Sequence, residues 1–257
     1  MSGLLGSRYD DPGRVRAVTM RRPTSIRTPW RLGAESDFEE SPGTTTPVIP
    51  EITGALTQVF ALVSEAIAGA SHALLTGDRE AAKALVAADE RIDELIAEAT
   101  TTVESALLDG GRSRDERLEL LAVMRMLPDL ERNGDLAEHI ARRAARGLGQ
   151  EISARARGLV ERMGEVATTM WATTTDVVSD RSPIEAAAVE DLDDELDDLH
   201  VTLIAEAVSG SMPVPVAIEL AMVARFYERF GDHAVNLARR LATEGGQPVQ
   251  PPTAGAD

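Results

Sequence analysis

The motif Glu-Arg-x-Gly-Asp occurs twice in this chain, once in PDLERNGDLAEHIARRA (128 to 144) and once in RFYERFGDHAVNLARRL (225 to 241). Each copy lies in a segment whose apolar residues recur with the spacing of an amphipathic helix. A glycine inside a helix costs about 0.5 to 1 kcal/mol relative to alanine. Because Gly134 and Gly231 occupy the same place before an Asp, we predict an internal repeat in which this glycine has the same role twice.

A second pair of acidic segments precedes the two motifs and supports the repeat. In ADERIDELIAE and LDDELDDLHVTLIAEA, residues of the first segment match residues of the second at an offset of 104: Asp89, Asp93 and Leu95 with Asp193, Asp197 and Leu199. The Glu-Arg-x-Gly-Asp motifs match at an offset of 97. A hairpin between the two segments of a repeat can absorb the difference as about one extra helical turn on each arm.

Short breaker segments divide the region around these motifs into helices. They are LLTGDRE, LLDGGRSRDE, RGLGQE, SDRSPIE and VSGSMPVP, and they predict six helices over residues 50–75, 78–108, 114–147, 151–178, 184–208 and 214–243. Asp78 and Ser182 are predicted N-caps, and Pro183 suits a first helical turn. With only 3% aromatic residues, the chain is predicted to be all-α, with two tandem three-helix bundles over residues 49–150 and 151–244.

The two ends of the chain lack helical or strand periodicity. Residues 1–48 contain seven Arg among scattered Pro, Gly, Ser and Thr, and residues 245–257 are rich in Pro and Gly. We expect an Arg-rich disordered arm and a disordered tail.

Composition excludes several classes of function. The absence of cysteine excludes disulfides, thiolate metal sites and cysteine nucleophiles. A net charge of −17 repels nucleic acid, so no nucleic-acid partner is expected. No run approaches 18 consecutive apolar residues, and the N-terminus lacks the apolar core of a secretory signal. We therefore expect a cytoplasmic protein.

Each repeat carries two pairs of acidic residues spaced four apart, and residues four apart lie on the same face of a helix. If the second and third helices of a bundle are antiparallel, two pairs converge into a patch of four carboxylates. Hard divalent or trivalent cations are the natural partners of such a patch, and Mg, Ca, Mn, Fe and Zn all remain open. The predicted metal ligands are Asp89, Asp93, Glu131 and Asp135 in the first repeat and Asp193, Asp197, Glu228 and Asp232 in the second.

Three further residues are expected to lie beside these ligands. Gly134 and Gly231 would leave bare backbone next to the carboxylates, so that a partner backbone or a metal cluster can come close. His233 follows Asp232, so its ring points about 100° away on the helix and would support the ligands rather than bind the metal. The other acids of DLDDELDD, Asp191, Asp194 and Asp198, are predicted to lie on a solvated face.

LERNGDLAEHIA and YERFGDHAVNLA, with DERID and DDELD upstream, resemble the PhoU family of phosphate-signalling regulators, over about residues 50 to 243. The second repeat is closer to the family signature, because Asn133 of the first replaces a usual aliphatic residue. The resemblance implies two three-helix bundles and acidic motifs that bind multinuclear iron or zinc clusters, with tighter binding expected in the second bundle.

The resemblance also implies a function. It is that of a negative regulator, not an enzyme, that couples the phosphate ABC transporter to a sensor histidine kinase at the inner face of the membrane. Such a regulator represses the phosphate-starvation response when phosphate is ample. Whether the chain forms a homodimer stays open.

Two other classes remain open from the residues alone. A di-iron carboxylate enzyme of ferritin-like type would use Glu-x-x-His on two helices, but only Asp197-x-x-His200 approximates that motif. A metal-free helical interaction module would leave the acidic faces vacant. No catalytic residue is assigned, because the chain has neither a Gly-rich phosphate loop nor a recognisable Ser/His/Asp cluster.

Overall fold

A computed structural model describes residues 48–180 and 182–244, and these ranges are helical with no strand. The six helices are α1 (Val48–Thr76), α2 (Arg79–Leu108), α3 (Arg114–Ala145), α4 (Ala154–Asp180), α5 (Pro183–Val208) and α6 (Val214–Glu244). A single 3-10 turn, Leu148–Gln150, lies between α3 and α4, where the predicted division between the bundles falls. The predicted arm and tail lie outside the described residues, except for Val48.

Side chains at the helix starts explain where the hairpins turn. Asp78 accepts a hydrogen bond from the backbone N–H of Ala81 at 3.0 Å, and Ser182 caps α5, whose first residue is Pro183. Both predicted N-caps are confirmed. Ser113 and Glu116 form a reciprocal capping box at the start of α3, which the sequence prediction did not include.

The helices form two bundles of three, so the predicted architecture is confirmed. Helix α1 packs against α2 and α3, and α4 packs against α5 and α6. The bundles contact each other through α1 with α4 and α3 with α6, and their buried residues form one continuous core. Two buried polar contacts join them: the indole N–H of Trp171 donates to the carbonyl of Phe60 at 3.0 Å, and the hydroxyls of Ser71 and Tyr227 lie 2.7 Å apart.

Helix α1 is the one described helix that is long and apolar enough to cross a membrane, with a mean hydropathy of 1.5 over its most apolar window. Its apolar side chains are used in the core, since Val59, Val63, Ile67 and Ala70 are all 0% exposed. Contact with helices of both bundles accounts for the apolar composition of α1.

The contact between α3 and α6 shows the repeat in its details. Arg143 and Arg240 are equivalent at the offset of 97. Nη1 of Arg240 lies 2.9 Å from Oδ2 of Asp129 on α3, while the guanidinium of Arg143 lies 4.6 Å from the ring centre of Phe226 on α6. Asp129 and Phe226 are themselves equivalent at this offset. The two equivalent arginines therefore contact equivalent positions of the opposite helix, Arg240 through an ion pair and Arg143 through a cation–π contact.

Candidate functional site

Three of the predicted acids of the first bundle meet between α2 and α3. Asp89 and Asp93, one turn apart on α2, face Asp135 of α3, and one carboxylate oxygen from each lies within 4.8 Å of the others. Over residues 48–180 and 182–244, no other group of three acidic or histidine side chains comes this close. Such a group of oxygen ligands suits a hard cation.

Gly134 allows α2 to approach α3 at this site. A Cβ on residue 134 would lie 3.2 Å from Cγ2 of Ile92 and 3.5 Å from Oδ1 of Asp89. Any side chain here would push on the α2 residues that face it. The glycine therefore serves the contact between helices, and it brings Asp89 close to the α3 backbone.

The equivalent glycine of the second bundle is in even closer contact. A Cβ on Gly231 would lie 2.4 Å from Oδ1 of Asp193 and 3.0 Å from Cδ2 of Leu196 on α5. The space that a side chain would fill is occupied by the carboxylate of a predicted ligand. An Asp of the neighbouring helix thus lies against both glycines, but only at Gly231 would a side chain collide with its carboxylate.

The carboxylates at both glycines are costly to ionise. Burial, followed by the charges of Glu138, Asp93 and Asp135, raises the pKa of Asp89 to about 7. Burial, followed by the charges of Asp197 and Asp232, raises the pKa of Asp193 to about 7. Two Asp residues with the same perturbation at equivalent positions mark two sites where a cation would relieve the repulsion.

The predicted acids of the second bundle form a looser group, in which no three carboxylates come as close among the described residues as in the first bundle. Burial, and then the charges of Asp197 and Asp232, nevertheless raise the pKa of both Asp193 and Glu228. The fourth acid of this second group of carboxylates is Glu228. Its Oε1 pairs with Arg225, while its Oε2 is buried with no hydrogen-bond partner among the described residues. Burial, and then the charge of Asp232, raises the pKa of Glu228. A buried carboxylate oxygen without a partner is unfavourable unless a cation or water meets it, so this atom fits a metal ligand.

The Arg of each Glu-Arg-x-Gly-Asp motif lies beside the Asp of the same motif. Nη1 of Arg132 is 3.1 Å from Oδ2 of Asp135, and Nε of Arg229 is 4.0 Å from Oδ2 of Asp232. Both arginines are exposed and both aspartates are half-buried, and ion pairs with this much access to solvent contribute little to stability. Their effect is to offset part of the negative charge that the carboxylates bring together.

Glu131 is the one predicted ligand of the first bundle that lies outside the group of three. Its side chain is exposed, and it is not among the charges that raise the pKa of Asp89 or Asp93. Glu138 instead raises the pKa of both, although it lies outside the group of three and pairs with Arg142, and the sequence prediction did not include it. The available signal was its spacing, because Glu138 lies three residues after Asp135 and so shares its helix face.

His233 contacts Asp129 and none of the predicted metal ligands that it was expected to support. Nδ1 of His233 lies 3.0 Å from Oδ1 of Asp129 on α3, so its hydrogen bond goes to the other bundle. The histidine near the second group of carboxylates is His200, whose charge lowers the pKa of Glu228 against the stronger effect of burial. Asp191, Asp194 and Asp198 are exposed, as predicted.

Comparison with known proteins places both repeats in one family. A family model described as the PhoU domain matches residues 56–144 and 160–241. In Mycobacterium tuberculosis, the "phosphate-specific transport system accessory protein PhoU homolog 1" is 32% identical over 196 residues, which are 75% of this chain and 89% of that protein. Homolog 2 of the same organism is 30% identical over 200 residues, covering 75% of this chain and 92% of its own length.

Two crystal structures have the same fold. PhoU from Pseudomonas aeruginosa matches with a TM-score of 0.72 at 22% identity, covering 77% of this chain and 97% of that one. The phosphate transport system regulatory protein PhoU from Streptococcus pneumoniae matches with a TM-score of 0.67 at 20% identity, covering 77% and 96%. The arrangement of two three-helix bundles is therefore shared with both.

Proposed function

This chain belongs to the PhoU family, and on that premise we propose that it is a cytoplasmic negative regulator of the phosphate-starvation response. It couples the phosphate ABC transporter to a sensor histidine kinase and represses the response when phosphate is ample. The observation that carries the proposal is the match of both repeats to relatives named as accessory proteins of the phosphate-specific transport system, over 75% of this chain.

The charge of the chain supports contact with protein partners rather than with lipid. A net charge of −17 disfavours adsorption to the anionic inner face of the membrane. Association with the membrane would then depend on basic surfaces of the transporter subunits or of the kinase. A rigid helical body with acidic faces suits that kind of docking, and its specificity and rate would fall as salt increases.

Each bundle is further proposed to bind a cation with its carboxylates. Iron or zinc is favoured by the family resemblance, and Mg or Mn would also suit an all-oxygen donor set. Two observations support the fit: Oε2 of Glu228 is buried without a partner among the described residues, and Gly231 leaves room for the carboxylate of Asp193. A bound cation would neutralise the acids and fix the spacing of the two helices that supply them.

A regulatory role fits these observations better than a catalytic one. A ferritin-like di-iron enzyme needs His ligands on two helices, whereas the histidine after the second Glu-Arg-x-Gly-Asp motif, His233, binds Asp129 of the other bundle. The curated relatives are likewise named as accessory proteins.

Deletion of the gene tests the regulatory proposal. We expect the phosphate-starvation genes to be transcribed in phosphate-rich medium, and a plasmid copy of the wild-type gene to restore repression. Transcription is measured with a reporter on a starvation promoter. Because one organism holds two curated homologues of this chain, any second copy in the host is deleted as well. Unchanged repression after removal of all copies would contradict the proposal.

A further inference from the structure

The turn between α5 and α6 carries an apolar surface that lies outside the core. Val208, Val214 and Ile218 are 79%, 71% and 59% exposed. Together with Ile204 and Met212 they line a groove of about 300 Å³, which we call the apolar groove. Single apolar residues on a protein surface are common, but a contiguous group of them marks a contact site.

The apolar groove belongs to the second bundle and is not a feature of the repeat. At the offset of 97, Val214 matches Arg117, and Ile218 matches Leu121, which is 38% exposed. A guanidinium at the first of these positions interrupts the apolar surface in the first bundle. The shared fold therefore does not require the groove, and Leu121 offers a matched control position.

Carboxylates border the groove along α5. Asp194, Asp198, Val201 and Val208 are all exposed. They are spaced four, three and seven residues apart, so they follow one face of the helix. Along this face the surface changes from apolar at the turn to acidic toward the middle of α5. A segment that fits it combines apolar side chains with several positive charges.

The chain itself contains such a segment outside the described residues. Residues 14–32, RVRAVTMRRPTSIRTPWRL, carry six Arg and no acid, and Ile26, Trp30 and Leu32 are among their apolar residues. A groove of 300 Å³ is at the lower end of the range for ligand pockets, about 300 to 1,000 Å³, and suits one large anchor such as Trp30. A second copy fits less well, because a net charge of −17 makes two such acidic faces repel each other.

The apolar groove lies at the end of the molecule opposite to Val48, where the described chain begins. Arg157, near the start of α4, donates a hydrogen bond to the carbonyl of Leu75, near the end of α1. Ser153, just before α4, donates to Oε1 of Glu206, near the end of α5, at 2.8 Å. The end of α1 and the turn between α5 and α6 are therefore on the same side.

The intervening chain is long enough to cover that distance. Helix α1 has 29 residues and is therefore about 43 Å long. Seventeen residues, 31–47, separate Trp30 from Val48, and an extended chain of that length spans about 56 to 61 Å. Trp30 can therefore reach the groove from the start of α1 within the same molecule.

We propose that residues 14–32 dock on this surface of their own chain, with Trp30 in the apolar groove and arginines against Asp194 and Asp198. The inference goes beyond the proposed function and does not depend on it. Because the segment is tethered, its effective concentration at the groove is on the order of millimolar, so a weak contact is sufficient. The contact is partly electrostatic and is weakened by salt. The Arg-rich segment is thus an internal, salt-sensitive cover of the groove.

Tryptophan fluorescence of the full chain tests the inference, because the chain has two tryptophans. Trp171 is 0% exposed in the core, so quenching by acrylamide reports on Trp30. Trp30→Phe gives the background from Trp171. In EDTA at low salt we expect Trp30 to be shielded. In 1 M NaCl, where charges are screened beyond about 3 Å, its quenching constant should rise by about twofold or more.

Ile218→Asp places a charge in the apolar groove and should release Trp30 at low salt, with a similar rise in quenching. Leu121→Asp, the matched control in the first bundle, should leave Trp30 shielded. Both positions are exposed, so both variants should keep the melting temperature of the wild type.

A second variant leaves every described side chain unchanged. Arg27→Gln combined with Arg31→Gln removes the charges that flank Trp30 and should also release it at low salt. Asp194→Asn combined with Asp198→Asn should have the same effect from the other side of the contact.

Three results would overturn the inference. The first is equal quenching of Trp30 in the wild type, in Ile218→Asp and in the double arginine variant. The second is release by Leu121→Asp as large as that by Ile218→Asp. The third is a loss of shielding on dilution together with a fall in sedimentation coefficient, which would show that a second copy covers the groove.

Discussion

Oδ1 of Asp193 lies so close to the backbone of Gly231 that a Cβ on residue 231 would stand only 2.4 Å from it. The carboxylate comes from α5 and the glycine from α6. The Glu-Arg-x-Gly-Asp motif therefore contributes more than its own acids. Because its glycine has no side chain, there is room beside it for an acid of the neighbouring helix. In the first bundle the approach is looser, because a Cβ on Gly134 would lie 3.5 Å from Oδ1 of Asp89, an ordinary contact.

Gly231→Ala is expected to impair metal binding more than folding. The new Cβ must displace the Asp193 carboxylate, which can rotate, and Leu196, whose Cδ2 is 3.0 Å away. Alanine improves helix propensity by about 1 kcal/mol, which offsets much of the strain. We expect a small change in melting temperature in EDTA and loss of most of the rise caused by metal, both measured by circular dichroism.

Gly158→Ala is the matched control for this prediction. Gly158 is exposed on α4, and no atom lies within 4 Å of the position of its Cβ. This variant should gain about 0.5 to 1 kcal/mol of stability and keep the full response to metal. An unaltered metal response in Gly231→Ala would refute the role assigned to its contact with Asp193.

Metal should raise the melting temperature of the chelated wild-type protein. A cation that binds only the folded state adds about 2.7 kcal/mol at a hundredfold excess over its dissociation constant. Thermal melting with Fe, Zn, Mn and Mg added one at a time identifies the metal. Asp232→Asn should remove most of the gain from the second site, whereas Asp198→Asn, an exposed acid of the same bundle, should not.

Identical melting curves with and without every metal would favour a metal-free helical module. Turnover of a bound metal with oxygen would favour the enzyme class instead. Either result would leave the fold unchanged, because the apolar core is continuous through both bundles.

Without metal, the protein should be more stable in mild acid than in mild alkali. The pKa values of Asp89 and Asp193 rise from 3.8 to about 7 on folding. Between these values the folded state holds protons that the unfolded state has released, so the free energy of unfolding falls as pH rises through this window. Urea denaturation in EDTA at about pH 5 and about pH 8 measures the difference.

The double variant Asp89→Asn, Asp193→Asn should flatten this pH dependence, since an amide does not titrate. Asp198→Asn should leave it as in the wild type. Metal is expected to reverse the trend, because protons compete with the cation for the same oxygens. Stability that rises steadily from pH 5 to pH 8 in EDTA would show that these carboxylates are not destabilised when ionised.

Asn133→Leu is expected to stabilise the chain. Asn133 is 0% exposed, and neither Oδ1 nor Nδ2 has a hydrogen-bond partner among the described residues. Its equivalent at the offset of 97 is Phe230, which is also fully buried. Leucine has the same branching without polar atoms, so we expect a gain of about 1 to 3 kcal/mol in the free energy of unfolding.

Urea denaturation measures the gain, and Asn236→Leu is the control. Asn236 is exposed on α6, where the change should stay within about 0.5 kcal/mol. Destabilisation by Asn133→Leu would mean that a buried water satisfies the amide in solution.

The sequence alone was sufficient for the helices, their order and the repeat. Hydrophobic periodicity, caps such as Asp78 and Ser182, and Gly- and Pro-rich breakers are local signals, and each predicts structure within a few residues of itself. The i, i+4 spacing likewise places Asp89 with Asp93 and Asp193 with Asp197 on shared faces. These predictions are confirmed where the structure describes the chain, because they depend on one helix at a time.

Only the tertiary structure decides which acids meet across helices. Periodicity leaves Glu131 and Glu138 on the same face of α3, and the packing of α2 against α3 brings Glu138, not Glu131, to Asp89. The same holds for His233, which binds Asp129 on α3. The register of one helix against another depends on how side chains interdigitate over the whole interface, and this information is distributed among residues far apart in the chain.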